Sequence, residues 1–171
     1  MFHTIRVFSR DKVQDYAEVT QEKVAIISIS NSDKPNVVFP GNENVCATLK
    51  LKFFDVESDL MDSKIGNIIN TISDQQARQI AVFAYKVKDS VDAITVHCNA
   101  GQSRSPAIAA AISRHFFGST KNFLSGYIPN RNTYLKTLAA LESINSTGVN
   151  IQKEEEAIKK IPYNYDMIDW E

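Results

Sequence analysis

Cys98 and Arg104 stand with five residues between them in the stretch Val96-His97-Cys98-Asn99-Ala100-Gly101-Gln102-Ser103-Arg104-Ser105. A β-branched apolar run, Ala93 to Val96, leads in; Pro106 and an alanine-rich segment lead out. That order reads as strand, tight loop, helix, with a thiol at the start of the loop and a guanidinium at its end. A loop entering a helix turns several N–H groups toward one point, where the helix dipole adds partial positive charge. The amides of Asn99, Ala100, Gly101, Gln102, Ser103 and Arg104 are expected to ring three oxygens of a phosphate. Gly101 supplies backbone angles that other residues resist, and the planar fork of Arg104 grips two oxygens at once. The same positive field favours a thiolate at Cys98, because cations and helix N-termini lower a thiol pKa from about 8.5. The chemistry suited to this set is in-line attack of sulfur on phosphorus, giving a phosphocysteine intermediate. Ser105 is placed to hydrogen-bond the sulfur and assist its departure, and His97 to bond nearby backbone and brace the loop. A buried cysteine is more often a small apolar residue. Here His97, Gly101, Ser105 and the strand-to-helix context together favour the chemical role.

The surrounding elements must position that loop. Ile5 to Phe8 reads as a first strand and Arg10 to Val19 as a helix, with Ser9 at its N-cap. Val24 to Ile29 is a buried strand by its branched apolar content. The stretch 31–44, with Pro35, Pro40, Gly41 and several Asn, is a loop, and Val45 to Phe54 is the next strand. Ser73-Asp74-Gln75-Gln76 fits a capping box. Ala77, Ile80, Ala81, Phe83, Ala84 and Val87 then give a helical stripe. Val91 to His97 returns as the strand carrying Cys98. Pro106 suits the first turn of the helix after it, and Gly118 its stop. Thr120 to Gly126 and Asn132 to Ser143 read as helical, Lys153 to Lys160 as a short charged helix. The rings of Tyr163, Tyr165 and Trp170 are expected to pack on the surface. Strands alternating with helices predict an α/β fold, with ligand at the carboxyl ends of the strands, where Cys98 falls.

Bulk properties narrow the classes. A chain of 171 residues, 43% hydrophobic and 23% charged, is read as one soluble domain over 1–171, with 162–171 peripheral. A net charge of −1 gives no global attraction to nucleic acid or membrane surfaces. Two cysteines, Cys46 and Cys98, make no disulfide framework, and a thiol nucleophile needs a reducing compartment. No apolar run resembles a signal peptide or a membrane span. The expected location is cytoplasmic. No His/Cys/Asp/Glu spacing suggests a metal site, and no cofactor is expected.

The segment His97-Cys98 to Arg104-Ser105 resembles the His-Cys-x5-Arg-Ser/Thr motif of the protein tyrosine phosphatase superfamily. The likeness is clearest over Leu49 to Leu141 and closest to the dual-specificity and small bacterial or phage-type members. Ile128-Pro129-Asn130-Arg131, running into the helix Tyr134 to Leu141, also looks like the family's C-terminal helix pair. The resemblance implies a central, mostly parallel sheet flanked by helices. It also implies a two-step, metal-free mechanism with Cys98 as nucleophile, Arg104 binding phosphate and Ser105 assisting the second step. It further implies an aspartate as general acid, on a loop after an earlier strand. Leu49-Lys50-Leu51-Lys52-Phe53-Phe54-Asp55 alternates as a strand does and ends in Asp55, the preferred acid; Asp59 and Asp62 remain alternatives. The interval from Asp55 to Cys98 is longer than the family usually has, and Gly66 to Thr71 reads as an inserted loop. With no cation between Cys98 and Arg104, the expected substrate is a singly phosphorylated group: phosphotyrosine, or both phosphotyrosine and phosphoserine or phosphothreonine, in a protein. The alternatives are a small phosphate ester, a phosphate-binding module without turnover, and a sulfurtransferase or arsenate reductase.

Overall fold

The structure is a computed structural model that describes residues 1–62, 67–146 and 168–170. The strands are β1 (Thr4–Ser9), β2 (Val24–Ser30), β3 (Val45–Lys52), β4 (Leu60–Asp62), β5 (Asn67–Ile69), β6 (Ala93–Cys98) and β7 (Ile168–Trp170). The helices are α1 (Arg10–Val19), α2 (Asp74–Val87), α3 (Arg104–Phe117), α4 (Lys121–Leu124) and α5 (Arg131–Ser146). The main sheet runs β1-β6-β2-β3-β7. Its first four strands are parallel and β7 closes the edge antiparallel to β3. The predicted mostly parallel α/β sheet is therefore the one observed.

The central strands explain themselves by burial. Every residue of β2 and of β6 is buried, as strands covered on both faces must be, and both read as near-continuous apolar runs. On one face Val13 and Ala17 of α1 pack with Val24, Ile26 and Ala93. On the other, Ile80, Phe83 and Ala84 of α2, Ile108 and Ile112 of α3, and Leu141 and Ile144 of α5 pack on Ile27, Leu49, Ile94 and Val96. The alanines at 107 and 109–111 in α3 are all fully buried, so a helix without bulk lies close on the sheet.

Local signals set several boundaries. The Ser73/Gln76 capping box forms both of its reciprocal bonds. Gly118 ends α3 with φ 74°, its N–H donating to the Arg114 carbonyl. Ser9 occupies the N-cap of α1 with extended backbone, but its side chain makes no capping bond. The loop expected at 66–71 is instead part of a hairpin, β4 pairing antiparallel with β5; residues 63–66 lie outside the described set. So do the predicted helix at 153–160 and the tail rings Tyr163 and Tyr165; Trp170 is described only as part of the backbone of β7. Among the described residues no helix is long and apolar enough to cross a membrane.

Register positions the site. β6 lies between β1 and β2, with Ser9 opposite Cys98 and Ser28 opposite His97. Inserting β6 between two strands from earlier in the chain makes this edge of the sheet a crossover point. Ligands of open α/β sheets bind at such points, beyond the carboxyl ends of the strands.

Candidate active site

Cys98 ends β6 and Arg104 opens α3, so residues 99–103 form the predicted strand-to-helix loop. Three of its carbonyls are taken by other segments. Asn99 O accepts from Arg10 N (3.0 Å), Gln102 O from Ile128 N (3.0 Å), and Ser103 O from Asn130 N (3.2 Å) and Ala107 N (3.1 Å). The amides of Ala100 to Ser103 donate to no acceptor among the described residues. Gly101 has φ 71°, and a Cβ there would stand 2.8 Å from Phe8 C and from Ser9 N. Both the turn and the close approach of β1 require glycine at this position.

The side chains converge as the spacing predicts. Cys98 Sγ lies 3.1 Å from Ser105 Oγ, and both residues are buried. Arg104 is only 3% exposed. One guanidinium nitrogen donates to Phe53 O, the plane lies near the Phe53 ring, and Nε has no hydrogen-bond partner. Nε is 3.9 Å from Asp55 Oδ2, too far for a hydrogen bond.

Asp55 sits just beyond β3, and its Oδ1 accepts from Ser103 Oγ (2.8 Å) and Asn130 Nδ2 (3.1 Å). The first of these bonds brings Asp55 to the 99–103 loop, and the second ties it to the start of α5. Asp59 turns elsewhere: its Oδ1 accepts from Thr71 N at 2.8 Å. It lines a polar cavity of about 680 Å³, with Lys52, Ser73 and Lys136, that includes neither Cys98 nor Arg104. The side chain of Asp62 lies outside the described set.

Beyond the expected backbone contact, His97 has a side-chain partner: its Nε2 lies 2.7 Å from Ser28 Oγ on β2. Burial pushes its pKa down to about 4 against the opposing pull of the Cys98 backbone, and the positive charges of Arg10 and Arg104 add to the lowering. The ring is neutral at ordinary pH and works as a brace between strands. Two contributors are not singled out by the sequence, Ser28 and the Phe53 carbonyl; both act through pairings across long stretches of chain. Asn130 was legible in part, since an Asn ahead of an apolar helical run signals an N-cap.

A shallow groove of about 300 Å³ runs along the catalytic loop, lined by Phe8, Ser9, Lys12, Gly101, Gln102 and Tyr127, among others. Among the described residues no group of three His, Cys, Asp or Glu side chains is arranged to hold a metal ion.

No family model matches the sequence, and no curated protein sequence matches it. Solved structures match at low identity. Human DUSP28 aligns with a TM-score of 0.54 at 12% identity, over 84% of this chain and 94% of that one. PTPMT1 in complex with PI(5)P gives 0.53 at 13%, over 86% and 96%. DUSP15 gives 0.52 at 16%, over 92% and 91%. All three are protein tyrosine phosphatase superfamily structures, and the fold of this chain is theirs.

Proposed function

We propose that this chain is a cysteine-dependent phosphomonoester hydrolase of the protein tyrosine phosphatase type. The observation that carries the reading is the convergence at one loop of three groups. They are the Cys98 thiol, the Ser105 hydroxyl 3.1 Å from its sulfur, and the buried Arg104 guanidinium whose Nε is without a hydrogen bond. A buried, charged donor left unmet is costly, and an anion held at the loop offsets that cost. The amides of Ala100 to Ser103, which donate to no acceptor among the described residues, supply further donors at the N-terminus of α3.

In the proposed reaction Cys98, as thiolate, attacks phosphorus, and the bond to the leaving oxygen breaks. Asp55 gives that oxygen a proton. Water then attacks the phosphocysteine, Asp55 takes the water's proton, and the sulfur leaves as thiolate with a hydrogen bond from Ser105. Arg104 and the amides of Asn99 to Arg104 hold the phosphoryl oxygens throughout. The absence of any further cation between Cys98 and Arg104 favours a singly phosphorylated side chain. Phosphotyrosine is the first choice, with the rings of Phe8 and Tyr127 in the adjoining groove. The complex of PTPMT1 with PI(5)P adds a phosphoinositide to the substrates worth assaying.

The test is release of phosphate from para-nitrophenyl phosphate and from phosphotyrosine, phosphoserine and phosphothreonine peptides and phosphoinositide vesicles. The expected result is turnover that Cys98→Ser abolishes. A wild type that binds phosphate or tungstate but turns over none of these substrates would make the loop a binding module.

A further inference from the structure

We propose that Glu57 is a positioning residue. It latches the loop carrying Asp55 onto the N-terminus of α5, so that the interactions that start this helix also hold the acid at the catalytic loop. The inference rests on the hydrolase reading above and deepens it.

An α-helix leaves its leading N–H groups without partners inside the helix. At α5 all of these leading donors are met, and mostly from the site. Asn130 N donates to Ser103 O in the catalytic loop (3.2 Å). Arg131 N donates to Glu57 Oε1 and Asn132 N to Glu57 Oε2, both at 2.9 Å. Thr133 N donates to Asn130 Oδ1 (2.8 Å), the usual N-cap bond. A carboxylate spread over two adjacent amides is fixed in both position and rotation, and its charge suits the positive end of the helix.

Glu57 is exposed, so core packing does not account for its placement. It lies two residues after Asp55, and the intervening residue is tied down as well. Val56 O accepts from Asn130 Nδ2 (3.2 Å) and from Thr71 Oγ1 (3.0 Å). Thr71 Oγ1 in turn accepts from Asn132 Nδ2 (2.9 Å). Asn130 is the shared joint: one end of its amide caps α5, and the other donates to Asp55 Oδ1. Releasing Glu57 removes two of the bonds that hold segment 55–57, leaving those through Asp55 and Val56, and weakens the start of α5.

The experiment is a leaving-group series of aryl phosphates, read as kcat/KM, for wild type, Asp55→Asn, Glu57→Ala and Glu57→Gln. Protonation matters most when the leaving group is basic, as in phenyl phosphate, and least when it is acidic, as in 2,4-dinitrophenyl phosphate. General acid catalysis is worth on the order of 10² to 10⁴. Glu57→Ala is expected to lose about tenfold of this on phenyl phosphate and to stay within about twofold of wild type on the dinitrophenyl ester. Glu57→Gln, which keeps one acceptor oxygen, falls between. An equal loss on both esters, or no loss, while Asp55→Asn shows the leaving-group effect, overturns the latch. If Asp55→Asn shows none, the acid assignment fails instead. If wild type is inert, the hydrolase reading fails. In both of those cases hydrogen exchange decides the latch. Faster exchange over 130–134, where the amides that donate to Glu57 lie, in Glu57→Ala supports it, and unchanged exchange there overturns it.

Discussion

Ser105 and His97 flank the thiol with different tasks, and each task predicts its own measurement. The Ser105 hydroxyl touches the sulfur, so Ser105→Ala is expected to slow departure of the thiolate more than its attack. Pre-steady-state assays of that variant are expected to give a burst of alcohol release followed by a slow steady rate. A single slow phase would place Ser105 in the first step. Arg104→Lys is expected to lose a hundredfold or more in kcat/KM, roughly, because a point charge cannot replace the fork. His97 gives a stability prediction with a definite sign. Its pKa in the folded protein is about 4 against an ordinary 6.5. Between these values the unfolded chain takes up a proton that the fold excludes. The contribution is complete above pH 6.5 and is lost as pH falls toward 4, at about 1.4 kcal/mol per pH unit once the unfolded form is protonated. Denaturant midpoints of wild type measured from pH 7 to 4 are expected to fall more steeply than those of His97→Asn. Equal slopes would mean that the ring is protonated in the fold.

At the scale of elements, the catalytic loop depends on one glycine and one helix start. Gly101→Ala places a methyl group 2.8 Å from β1 backbone atoms at a positive φ. The strained backbone alone costs about 1–3 kcal/mol, and the clash adds to it. Gly41→Ala, with nothing within 4 Å, is the control and is expected to be neutral in thermal melting. The contrast also marks what the sequence makes legible. The Ser73/Gln76 box and the Gly118 stop are local, so residue types three or four apart announce them. The N-cap at Ser9 was placed correctly, yet its missing side-chain bond could not be read from composition. The capping of α5 by Glu57 spans more of the chain than any local pattern covers, so no local rule finds it.

At the scale of the molecule, buried parallel strands and amphipathic helices were readable because their periodicity follows from burial. The order β1-β6-β2-β3 was less so: it depends on which strand slots between which, and only the crossover fixes that. The strand β5 inside the stretch read as a loop, 66–71, is only three residues long, too short to establish alternation. Cys98, Arg104 and Ser105 are legible because one short stretch of chain, 98–105, holds them. Asp55 was chosen over Asp59 by strand-exit position, and the structure brings Asp55, not Asp59, to the loop. A thiolate mechanism needs no added metal: incubation with EDTA is expected to leave the rate unchanged, and inhibition reversed by a divalent cation would point to different chemistry. The most direct test of the central claim is acid quenching of the enzyme during turnover of an aryl phosphate, followed by peptide mass spectrometry. One phosphoryl group is expected on the peptide containing Cys98, absent in Cys98→Ser together with turnover. A phosphoryl group on another residue, or undiminished turnover in Cys98→Ser, would contradict it.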